Sequence, residues 1–130
     1  MGSQTVTPEV ATAIDEIKAA FPTATVKVKE DGDGVVVLLE PVDLGEPYKQ
    51  RESWIGFRIT FQYPYSDCYP HYVRGDLERV DGSGLGEGMS ATTFEGRGAV
   101  QISRRSNKLD PGRDTALLKL HKVLAWLRTR

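Results

Sequence analysis

The chain has 130 residues, of which 39% are hydrophobic and 27% charged, a size for one domain and a composition that excludes both a disordered and a bilayer-embedded chain. No purely apolar run is longer than residues 35–39, far short of the roughly 20 residues that a membrane-spanning helix needs, and the opening MGSQTVTPE has neither the basic start nor the apolar stretch of a secretory signal. The net charge of -1 conceals an asymmetry: residues 1–103 carry nine lysines and arginines against sixteen acids, and the last 27 carry eight against two. One domain over residues 1–130, cytoplasmic and away from membranes, is the expectation.

Helix signals open the chain. Thr7 suits an N-cap, Pro8 the first helical position and Glu9 the positive end of the helix dipole. Val10, Ala13, Ile14, Ile17 and Phe21 then recur at spacings of three and four, drawing one apolar stripe that Pro22 ends. Residues 25–29 alternate Val26 and Val28 with lysines, the period of a strand with one wet face. The turn residues Asp31-Gly32-Asp33-Gly34 lead back into a second strand at 35–39, which predicts a hairpin. Residues 41–50, with two prolines and mixed charge, read as a connecting loop.

A third strand at 54–62 places Ile55, Phe57, Ile59 and Phe61 on one face, with Arg58, Thr60 and Gln62 on the other. Proline and aromatic residues crowd the stiff turn that follows, through Pro70, and 71–74 reads as a short fourth strand. Four glycines within 81–88 predict a mobile loop, and 99–102 is a short apolar segment. Asp114 is placed to cap a last helix through Arg128, with Leu117, Leu120, Leu124 and Leu127 as its inner stripe. The resulting expectation is an α+β domain with an N-terminal helix, an antiparallel four-stranded meander and a C-terminal helix. Its expected core comprises Ile14, Ile17, Val26, Val36, Ile55, Phe57, Ile59, Phe61, Leu117, Leu120 and Leu124.

Chemistry-bearing residues are few. The run GSGLGEG lacks both the dinucleotide-binding spacing and the Gly-Lys-Ser/Thr end of a phosphate loop, so no nucleotide cofactor is expected. One cysteine and two histidines, His71 and His121, have no zinc-type spacing, and no Gly-x-Ser-x-Gly elbow is present. Cys68 is the one candidate nucleophile. Its place in a turn suggests access, while its neighbour Asp67 opposes thiolate formation. Arg104, Arg105, Lys108, Arg113, Lys119 and Lys122 form a basic stretch that suits an acidic partner surface, with nucleic acid as the alternative. That stretch has no paired aromatic stacking platform beside it, which disfavours nucleic acid.

The helix–meander–helix order, the strand WIGFRITFQ running into Tyr63-Pro64-Tyr65, and Pro70 together resemble the ubiquitin-conjugating enzyme superfamily over nearly the whole chain. Ser103-Arg104-Arg105 and Leu109-Asp110-Pro111-Gly112-Arg113-Asp114 are similar to short motifs of its prokaryotic branch. The match departs at the centre of the chemistry. There is no His-Pro-Asn motif, and Gln101 stands where the family's cysteine would be. The resemblance therefore implies a non-catalytic or divergent member of a bacterial ubiquitin-like conjugation system. Its implied partners are a ubiquitin-like protein, an adenylating activating enzyme and a modifier-removing metalloprotease. Under it, Cys68 is the only residue left for a transferase role, and Arg104, Arg105, Asn107 and Lys108 become partner-binding candidates, Asn107 lying near the place of the family's oxyanion-stabilising asparagine.

Overall fold

The computed structural model describes residues 7–104 and 109–129. Helix α1 (Pro8–Ala20) is followed by strands β1 (Thr25–Glu30), β2 (Gly34–Asp43), β3 (Glu52–Thr60), β4 (His71–Arg74), β5 (Met89–Phe94) and β6 (Arg97–Ile102), and helix α2 (Ala116–Arg128) closes the chain. The strands form one antiparallel sheet in the order β1-β2-β3-β4-β6-β5. The α+β class stands, but the expected four-stranded meander is corrected to six strands. Its last two leave the meander order, because β4 pairs with β6 rather than with β5.

The missing pair was hidden for physical reasons. Four consecutive residues of β5 are exposed, so the strand has no alternation of apolar and polar residues, and only the apolar end of β6 was visible at 99–102. Their turn, Glu95-Gly96, is a two-residue hairpin turn with φ of 51° and 79°, the left-handed pair of a type I′ turn. Glutamate is an uncommon first residue for it.

Both helices cover one face of the sheet. Val10, Ala13, Ile14 and Ile17 of α1 and Leu120, Val123, Leu124 and Leu127 of α2 pack against Val35, Val37, Leu39, Ile55, Phe57, Ile59, Val73, Val100 and Ile102. Phe21 stacks on His121 at 5.6 Å between ring centroids, joining the C-terminal end of α1 to the middle of α2. Thr7 caps α1 as expected, accepting from the Val10 amide at 3.1 Å. The second cap is Thr115 rather than Asp114: its hydroxyl accepts from the Leu118 amide at 3.0 Å, and the Tyr63 hydroxyl accepts from the Ala116 amide at 3.0 Å.

Several core expectations shift. Val26, Phe61 and Leu117 are only half-buried, because β1 is an edge strand and these positions lie at the margins of the helix layer. Val36 is buried, but on the face opposite Val35 and Val37 and outside their cluster. The segment expected as a loop at 41–50 begins as strand, since β2 runs past an irregularity between Leu39 and Val42 to Asp43. Its remainder buries Leu44 and Tyr48 completely, and the Tyr48 hydroxyl donates to the Leu127 carbonyl at 3.0 Å, tying this segment to the end of α2. The glycine-rich loop is exposed at 81–84, while Leu85 packs against the core.

Candidate functional site

Cys68 lies in the segment between β3 and β4, and the expected access is corrected: the residue is 4% exposed and belongs to the core cluster. Tyr63, with its hydroxyl at the start of α2, draws the aromatic turn in against that helix. Lys119 of α2 reaches Asp67 with Nζ 3.2 Å from Oδ2, and this ion pair is itself largely buried. Burial first, and the Asp67 carboxylate second, push the Cys68 thiol up to about 12, and Lys119 offsets only part of this. The sequence placed Asp67 beside the thiol. It did not place helix α2 across it.

His71, three residues on, opens β4 and points into the core, its ring 4.8 Å from that of Phe57. It is fully buried, and neither ring nitrogen has a hydrogen-bond partner among the described residues. Burial, aided by the Lys119 charge, lowers its pKa to about 3. A thiolate–imidazolium pair needs both groups charged, and this environment holds both neutral. Gln101 of β6 pairs with Tyr72 and Ser90, and its Nε2 donates to the Ser103 hydroxyl at 3.1 Å. No thiol stands at that position. Among the described residues, no group of three or more His, Cys, Asp or Glu is placed to hold a metal ion, and no helix is long and apolar enough to cross a membrane.

Of the partner-binding candidates, Arg105, Asn107 and Lys108 lie outside the described residues. Arg104 is exposed, with its guanidinium 4.9 Å from the centre of the Trp126 ring. Lys119 is withdrawn from the basic stretch by its ion pair with Asp67, and Lys122 lies 4.0 Å from Asp114. The chain's late positive charge is thus partly neutralised locally.

The sheet's outer face, which neither helix covers, holds a constellation that the sequence reading missed. Beyond the end of β4, the β5–β6 hairpin bends back over this face. Phe94 stacks on Tyr72 at 4.3 Å and on Trp54 at 6.0 Å, and Arg97 lies 5.0 Å over the Trp54 ring. Two glycines permit this. A Cβ at Gly56 would collide with the Phe94 ring, and one at Gly75 would lie 2.6 Å from the Gly98 backbone. At the hairpin tip Glu95 pairs with Lys29 of β1, so the turn spans the sheet.

Beside this stack an open groove of about 780 Å³ crosses the strands, with Trp54, Pro41 and Ala99 as apolar lining and Glu40, Glu52 and Arg97 supplying both signs of charge. The clue lay in WIGFRITFQ, where the alternation that buries Ile55 and Phe57 must turn Trp54 and Gly56 to the opposite face. A groove with mixed charge and an aromatic floor suits a protein surface better than a polyphosphate backbone. No family model matches the chain, and neither a curated protein nor a solved structure matches it.

Proposed function

We propose that this chain is a non-catalytic, conjugating-enzyme-like binding partner of a ubiquitin-like modifier in a bacterial conjugation system. The observation that carries the non-catalytic part is the burial of the only thiol: Cys68 is 4% exposed and its pKa is raised to about 12, opposite to what thioester formation requires. The modifier and its adenylating activating enzyme, with a modifier-removing metalloprotease beside them, follow from the sequence resemblance. The outer-face groove, with its Trp54 floor and mixed charge, is the surface that the modifier would occupy, and the basic segment opening at Arg104 supplies a second contact.

The test mixes the protein with an active activating enzyme, ATP and the candidate modifier. Expected are no reducible adduct in either wild-type or Cys68→Ser protein, and non-covalent binding that Trp54→Ala and the double reversal Arg104→Glu/Arg105→Glu each weaken. A reducible adduct formed by the wild type and lost in Cys68→Ser makes the protein a transferase and overturns the reading. Binding that survives both surface variants unchanged removes the assigned surface.

A further inference from the structure

The two edges of the sheet are built differently. β1 carries Lys27, Lys29 and Glu30 along its six residues, and such charges discourage a further strand from adding. β5, Met-Ser-Ala-Thr-Thr-Phe, has no charge, no proline and no register shift against β6, and residues 90–93 are exposed. The direction of its main-chain groups is fixed by the hydrogen bond from the Ser103 amide to the Gly88 carbonyl at 2.7 Å. By the alternation of an antiparallel pair, Ser90, Thr92 and Phe94 then face β6, while Ala91 and Thr93 turn their N–H and C=O groups outward. Neither residue has a main-chain partner on that side among the described residues.

We propose that β5 is a self-association edge, at which two copies of this chain pair antiparallel about a two-fold axis at Thr92 and join their sheets. A second copy fits because the strand brings no charge against itself, whereas a charged peptide would find no counter-charge along it. The register centred on Thr92 sets Thr92 opposite itself, Ser90 opposite Phe94 of the second copy, and Ala91 opposite Thr93. Each Ala91–Thr93 pair exchanges two main-chain hydrogen bonds, and inner and outer faces stay continuous across the junction. Centring on Ala91 would bring Glu87 opposite Glu95 of the second copy, a like-charge pair that disfavours that alternative. A six-residue edge offers a contact well below the roughly 1,200–2,000 Å² of stable interfaces, so the dimer is weak and concentration-dependent.

Sedimentation equilibrium across a concentration series from micromolar to near-millimolar tests this. The wild type is expected to rise from 14.4 kDa toward twice that mass, with amide exchange at Ala91 and Thr93 slowing as the dimer forms. Thr93→Pro removes one outward N–H without touching the β6 ladder, and Thr92→Lys sets two positive charges opposite each other. Both are expected to stay monomeric with unchanged circular dichroism. A wild type that stays monomeric throughout overturns the proposal, including the case where an added extended peptide protects Ala91 and Thr93 instead. Dimerisation that persists in both variants equally overturns it.

Discussion

His71 and Cys68 show how one pocket of the core decides the charge of its titratable groups. In the native chain His71 binds its proton only near pH 3, against an ordinary value of 6.5, so the unfolded state holds more protons between those limits. Stability is therefore present above about pH 6.5 and falls as the pH drops toward 3, by up to about 1.4 kcal/mol per pH unit from this group. Acid titration of the wild type and His71→Leu, followed by circular dichroism, should show the variant unfolding at lower pH relative to its own neutral stability. Cys68 has the opposite sign, since its raised pKa favours the native state below about 9 and loses stability above it. An aromatic disulfide reagent should label Cys68 only as fast as the protein opens, with full labelling in denaturant. Immediate labelling of the native protein would contradict the buried placement.

At the scale of elements, the hairpin bent over the outer face depends on the absence of a side chain at Gly56. Gly56→Val should force Phe94 off its stack with Tyr72 and cost about 1–3 kcal/mol by overpacking, with the largest loss of amide protection in β5 and β6. A loss of protection spread evenly over the sheet would mean that the hairpin is not separately held. The segment before β3 has its own anchor in Tyr48. Tyr48→Phe leaves the Leu127 carbonyl short of one donor and should cost about 1 kcal/mol in denaturant unfolding.

For the molecule as a whole, one core shared by both helices and the inner face of the sheet should unfold as one unit. Tryptophan fluorescence reports on Trp54 of the outer face and Trp126 of α2, and far-ultraviolet dichroism on the backbone, and the two transitions should coincide. Phe57, fully buried at the centre of β3, is the position where truncation to Ala should cost most, about 3–5 kcal/mol. A cost under about 1 kcal/mol would mean that the inner face had been assigned backwards.

Local patterns determined much of this fold without tertiary information. The Thr7 cap and three-four spacing specified α1, period-two alternation specified β1 and β3, the Asp-Gly turn and the apolar run at 35–39 specified β2, and leucines on one stripe specified α2. Each is a signal carried by neighbours in the chain, because burial on one side imposes the period of the element and burial on both sides, as in β2, leaves a continuous apolar run. The tertiary structure alone decided the rest. β5 is an exposed edge that no helix covers, so nothing selected an apolar period in its sequence, and the pairing of β4 with β6 rather than with β5 is a long-range choice. Cys68 looked accessible from its turn because only the later arrival of Lys119 and helix α2 seals it. The outer-face stack of Trp54, Tyr72, Phe94 and Arg97 joins residues from four strands, and proximity across a sheet is written in its pairing and bending, not in the spacing along any one segment.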